Sequence, residues 1–246
     1  MQWIYLSPHF DDVALSCGGV LWEQARAGHS VQVWTVCAGD PGRDSELSEF
    51  AKSLHRRWGS GPEAVVLRRG EDIASCERMG AGWRHFALPD CIYRQGKDGE
   101  HLYASEQGIF DPLHTEDLRN VQALSVELAA ALPAGAALVC PLALGGHVDH
   151  KLTRQAAEML GRALWYYPDY PYVLRQAEQI PSQEQHLWQA QAFPVSQEGL
   201  MAWGEAVAAH ESQISTFWGS LDEMRRAVEA YWKRQQGVQL WRRRQS

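Results

Sequence analysis

The sequence predicts an α/β fold: a mostly parallel sheet with helices on both faces. Three observations carry that expectation. Short apolar, β-branched runs alternate with longer segments of helical periodicity. The runs read as strands buried on both sides. Clusters of ionisable residues fall just after two of them. Strand–helix alternation builds parallel sheets, and such sheets hold their ligands outside the carboxyl ends of the strands.

The first run, Trp3 to Leu6, is a short buried strand. From Asp12 to Arg26 the apolar residues Val13, Leu15, Val20, Leu21 and Ala25 suit a helix packed on a sheet, and Gly28 ends it. SVQVWTVCAG is the second strand and GDPGRD the loop after it. Residues 45–58 and 71–80 read as helices, with WRHFAL as the third strand. Residues 89–112 show little periodicity, and a loop that long suits a role over a binding site. A helix over 115–132 leads to the fourth strand, AALVCPLAL. Two glycines then open a helix at HVDHKLTRQAAEMLGRA, and ALWYY reads as a further strand. The tyrosine-rich YYPDYPY after it is a second candidate substrate-facing segment. The remainder, about 182–246, is expected to be a helical C-terminal segment of a single domain spanning 1–246. Its main helix would run from Glu198 to about Gln236, with a break near Gly219.

Composition narrows the function. The 246 residues carry a formal net charge of −7, which disfavours nonspecific binding to nucleic acid or an anionic membrane. No apolar run approaches the ~20 residues of a membrane span, and the N-terminus has no secretory pattern. Arg225, Arg226, Arg242, Arg243 and Arg244 read as a solvated helix face and a frayed tail. The five cysteines form no Cys-x-x-Cys, which fits reduced thiols in a cytoplasmic protein.

The ionisable clusters follow the first and fourth strands. In a sheet ordered 3-2-1-4 those strands are neighbours, so their loops meet. One loop holds His9, Asp11 and Asp12; the other holds His147, Asp149 and His150, after Gly145 and Gly146. Residues three apart on a first helical turn point the same way, so one loop can offer a His and an Asp and the other a second His. That is the donor set of a catalytic metal site with an open position. The surplus groups suit hydrolysis, which needs a base for the attacking water and a partner for the oxyanion. Taken singly, Asp11 or Asp12 could equally cap a helix, and either histidine could be structural. The pairing of the two sets points to the metal. A nucleotide site is disfavoured: Gly18-Gly19 falls inside the expected helix, and no Gly-x-x-x-x-Gly-Lys-Ser/Thr occurs.

SPHFDD and HVDH resemble the two signatures of the LmbE-like or PIG-L-type zinc de-N-acetylases, with Phe10 where that family usually has proline. RRGEDIASCERMGA, LPDCIYR and HESQI resemble further family segments, with His210 for a tyrosine. The resemblance implies a Rossmann-like α/β sandwich. It also implies Zn2+ on His9, Asp12 and His150, Fe2+ being an alternative, with Asp11 as base and then acid. His147 would stabilise the oxyanion, oriented by Asp149, and Asp90 with Arg68 or Arg69 would bind substrate. The implied activity is removal of acetyl from an N-acetylated amino sugar or its conjugate. A thiol conjugate, a glycosylated natural product, or a non-catalytic metal-binding module are the alternatives, and a homo-oligomer is compatible.

Overall fold

A computed structural model describes residues 1–42, 46–61, 63–175, 187–235 and 237–244. Its centre is a seven-stranded sheet in the order β3-β2-β1-β4-β5-β7-β6. The strands are β1 (Gln2–Ser7), β2 (Ser30–Thr35), β3 (Gly82–His85), β4 (Ala137–Pro141), β5 (Leu164–Tyr167), β6 (Trp188–Pro194) and β7 (Gly237–Arg243). The first five are parallel, and β6 and β7 add an antiparallel pair at one edge. β1 pairs with β2 on one side and with β4 on the other, Tyr5 lying opposite Val33 and Val139. The loops after β1 and β4 are therefore side by side.

Among the described residues eight α-helices cover the sheet: α1 (Asp12–Arg26), α2 (Glu49–Arg57), α3 (Ala64–Met79), α4 (Leu118–Ala131), α5 (Val148–Glu158), α6 (Gln197–Ala208), α7 (Glu211–Phe217) and α8 (Leu221–Gln235). α1 packs against α3 and α6, while α4 packs against α5 on the opposite face. The core runs continuously through both layers, from Ile4, Tyr5 and Leu6 to Leu138, Leu152, Trp203 and Leu240. Gly18 and Gly19 sit inside α1 because Trp203 of α6 lies on them. A Cβ at Gly18 would stand 2.6 Å from its indole. The Trp203 Nε1–H donates to Ala14 O at 2.7 Å, so the closeness also satisfies the buried indole.

The C-terminal segment differs from the sequence expectation. It is not helical throughout: β6 and β7 enclose three helices, α6, α7 and α8, with breaks before Glu211 and before Leu221. β6 and β7, of seven residues each, are paired along their whole length, so pairing between strands over forty residues apart in sequence decides them rather than local pattern. Arg225 and Arg226 do lie on the exposed face of α8, but Arg242 and Arg243 belong to β7 and are no frayed tail. Part of the expected segment, 182–186, lies outside the described residues, as do Arg43 and Asp44 of the GDPGRD loop. α3 starts seven residues earlier than expected, at Ala64. All five cysteines are buried and unpaired.

Candidate active site

β1 delivers its loop to the start of α1. Asp11 stands at the N-cap position, yet its side chain makes no capping hydrogen bond. Ser7 Oγ takes the Val13 N–H instead, at 3.2 Å. The capping alternative thus fails for Asp11, whose carboxylate faces the Arg68 guanidinium at 3.4 Å. Asp12, in the first turn, accepts the His9 backbone N–H at 2.7 Å. On the neighbouring strand, Gly145 and Gly146 both have positive φ, and the ring of Tyr172 lies directly on Gly145 where a side chain would clash. That turn brings His147 to the cap of α5 and His150 one turn on.

The two loops interlock through Asp12. Its Oδ2 lies 3.2 Å from His9 Nδ1 and its Oδ1 lies 3.3 Å from His150 Nε2. Each histidine offers its other nitrogen to a buried carboxylate. His9 Nε2 donates to Asp149 at 2.9 Å, and His150 Nδ1 donates to Asp169 at 2.6 Å. The spacing fits a cation: donors on a tetrahedral metal at ~2.0–2.1 Å stand roughly 3.3 Å apart. Carboxylates behind both rings are the usual support of metal-binding histidines. The ring nitrogens of His9, His147 and His150 also come within 4.8 Å of one another, so His147 is a competing third donor. Its Nδ1 already accepts the Asp149 N–H at 3.2 Å, which leaves Nε2 as its free, proton-bearing nitrogen.

The electrostatics agree with a site built for positive charge. Burial opposes protonation of His9, but Asp90, Asp12 and Asp149 outweigh it and raise its pKa well above the ordinary value. Burial opposes protonation of His150 as well, and Asp12 and Asp169 push it up to about 10. Burial would raise Asp12, yet His150 and His9 hold it well below the carboxylate range. His147 goes the other way: burial and the neighbouring His9 keep it neutral.

The remaining expected residues divide. Asp90 lines the cavity, 3.7 Å from His9 Nε2 and 3.9 Å from Arg68. Arg68 lines it too, buried over the rings of Phe10 and Trp58. Arg69 does not. It turns to Ala38 O and Asp40, because one residue of helical register rotates it away from the site. The Asp149 carboxylate hydrogen-bonds His9 and the Cys91 N–H and ion-pairs with Arg94 at 2.5 Å; only its backbone N–H reaches the His147 ring. The expected direct orientation of His147 by that carboxylate is therefore replaced by a backbone contact.

Two partners escaped the sequence reading. Asp169 lies in YYPDYPY, just past β5, the strand next to β4. Extending the neighbouring-strand argument by one strand would have found it. Arg94 is buried between Asp149 and Asp117; it ends the LPDCIYR segment, of which only Asp90 was given a role. The cavity, about 190 Å³, is walled by Phe50, Leu54 and Trp58 from the α2 region, Ile109 and Phe110 from the long loop, and Phe217 from α7. Tyr170 and Tyr172 complete one side, so both candidate substrate-facing segments do line it. Two of the weaker motifs also meet: Glu71 of α3 accepts both the backbone N–H and the hydroxyl of Ser212 in HESQI.

The sequence profile of the PIG-L family, described as GlcNAc-PI de-N-acetylase, matches residues 4–160, which include every candidate metal ligand. The chain belongs to this family. It is 26% identical to a 2'-N-acetylparomamine deacetylase of Niallia circulans, an alignment covering 97% of this chain and 93% of that protein. A zinc-inhibited form of teicoplanin deacetylase Orf2 superposes with a TM-score of 0.83 at 26% identity, over 99% of this chain and 97% of that one. The A40926 pseudoaglycone deacetylase Dbv21 gives 0.72 at 26% identity, over 98% and 95%. As a PIG-L family member with deacetylase relatives along its whole length, the chain is an N-deacetylase. Among the described residues no helix is long and apolar enough to cross a membrane.

Proposed function

We propose that this PIG-L family member hydrolyses the acetamide of an N-acetylated amino sugar attached to a larger conjugate, with Asp11 moving the proton. The observation that carries this reading is the position of Asp11: buried, uncapped, beside Asp12 and open to the same cavity as His147. His9, Asp12 and His150 would hold the metal, zinc by proposal and ferrous iron by alternative. Bound there, a divalent cation supplies Lewis acidity, which acidifies water and polarises an acyl oxygen.

The chain's own groups do the rest. Asp11 takes a proton as water oxygen attacks the acetyl carbon. His147, neutral and carrying its proton on Nε2, donates to the oxygen that becomes negative. Asp11 then returns the proton to the amine nitrogen as the C–N bond breaks, leaving acetate and a free amino sugar. Arg68, 3.4 Å from Asp11, holds that carboxylate in place at the cavity wall.

The wall of Phe50, Leu54, Trp58, Ile109, Phe110 and Phe217 favours a sugar on an apolar or aromatic aglycone, a glycosylated natural product, over a bare polycationic sugar. Five unpaired, buried thiols support a reducing, cytoplasmic setting. The test is acetate release from a panel of N-acetylglucosaminyl conjugates, at one equivalent of zinc and in excess. The excess arm is needed because the teicoplanin relative has a zinc-inhibited form. Turnover by wild type, with Asp11→Asn metallated but inactive, supports the reading. An active Asp11→Asn enzyme removes Asp11 from its role.

A further inference from the structure

The edge of the sheet remote from the metal cluster carries a second cavity. It lies at the amino ends of the parallel strands and holds about 600 Å³. Its walls are Arg162, just before β5, and Arg242, Arg243 and Arg244 at the end of β7, with Trp165 and Gln189 between them. Four arginines line it on a chain whose net charge is −7, Arg242 and Arg243 lying on opposite faces of β7.

Their charge is scarcely compensated. Among the described residues, only Arg243 of the four meets a carboxylate, Glu158 Oε1 at 3.8 Å. That oxygen already accepts from Arg154 at 3.0 Å and from the Tyr166 hydroxyl at 3.1 Å. The other arginines are held by neutral groups. Arg162 donates to Ala136 O, Arg242 to Gln189 Oε1 at 3.3 Å, and Arg244 to Trp188 O at 3.1 Å. Arg242 sits over the ring of Trp165 and Arg243 over that of Trp188, 4.8 and 5.3 Å from the ring centroids.

Each of these arginines is held by one or two neutral contacts, fewer than its five N–H donors. A guanidinium stacked on an indole keeps its donors, and its fork matches two phosphate oxygens at once. Several like charges around one concavity raise its affinity for an anion. The concavity of the site favours a small ligand over a broad partner surface.

We infer that this cleft binds an oligophosphate group, as inorganic pyrophosphate or as the diphosphate of a nucleotide. The two sources share the same anion, and affinity separates them. Titration calorimetry on the metallated full-length protein would use pyrophosphate, ADP and orthophosphate, with Arg242→Gln/Arg244→Gln and, separately, Arg162→Gln as variants. The expected result is one pyrophosphate per chain, roughly tenfold or more weaker in each variant, with metal content and deacetylation unchanged. ADP binding as tightly as pyrophosphate assigns the site to the phosphates alone, and tighter ADP binding assigns it to a nucleotide. Pyrophosphate also sequesters metal ions, and the variants separate the two effects: binding that survives them unweakened belongs to the metal centre and overturns the inference. Absence of binding by wild type at millimolar pyrophosphate overturns it as well. Should the double variant unfold, the Arg162→Gln titration decides alone.

Discussion

Asp169 Oδ1 stands 2.6 Å from His150 Nδ1 and so turns His150 Nε2 toward Asp12, 3.3 Å away. The other Asp169 oxygen accepts the Leu144 N–H at 2.9 Å, which anchors the carboxylate to the turn after β4. Support of this kind typically carries ~10–100-fold in metal affinity. Asp169→Asn keeps the shape and the Leu144 contact but removes the charge. The variant should bind zinc about tenfold or more weakly in competition with a chelator, and should regain most of its turnover when metal saturates it. Unchanged affinity would show that the ring is held by packing alone.

Metal uptake should release protons. Asp12 and Asp169 raise the pKa of His150 to about 10, and Asp90, Asp12 and Asp149 raise that of His9, so both rings are protonated at neutral pH without a cation. A ligating imidazole must be neutral, and the metal therefore competes with those protons. The sign follows: affinity climbs as pH rises toward the histidine pKa values and falls in acid. Calorimetry of zinc binding in buffers of differing ionisation enthalpy counts the protons. A heat independent of buffer would rule out this charge state.

The neighbourhood of the strand ends was legible in sequence because apolar runs and their order set the sheet, and a sheet with β1 beside β4 leaves the two loops nowhere else to go. His9, Asp12 and His150 come together as the family resemblance implied, where spacing alone left the choice between His147 and His150 open. What the sequence hid are relationships across the fold. Arg94 reaches Asp149 from fifty-five residues away, with no period to announce it. β6 and β7 are made by each other and not by their own composition. Arg68 and Arg69 differ by one helical step, which only the placement of α3 resolves.

Arg94 is the structural keystone beneath the site. It lies between Asp149 at 2.5 Å and Asp117 at 2.8 Å, all three buried. Burial would raise Asp149, but the guanidinium and His9 outweigh it and hold the carboxylate well below its ordinary value. Removing one partner of a buried charge cluster leaves the others unpaired, at a cost of roughly 3–5 kcal/mol. Arg94→Met should therefore lower urea stability by about that amount. Adding Asp117→Asn should recover part of the loss, since one stranded charge is gone. A single variant as stable as wild type would mean that water reaches these carboxylates.

The five thiols give a prediction about reactivity. Burial is the first cause that raises Cys17, Cys37, Cys76, Cys91 and Cys140 above the ordinary thiol value, and nearby carboxylates add to it at each. The thiolate is the nucleophile, so raising the pKa lowers the reactive fraction at any pH below it. Arg94 opposes the effect at Cys37 and Cys91 but does not reverse it. Native protein at mildly alkaline pH should give almost no colour with a disulfide reagent, and all five thiols should react once denaturant is added. Rapid reaction of one thiol in the native state would mark a local opening. Repeating the measurement with and without zinc would then locate it, because Cys91 shares the Asp149 carboxylate with His9 while Cys76 lies away from the cluster, on Asp72.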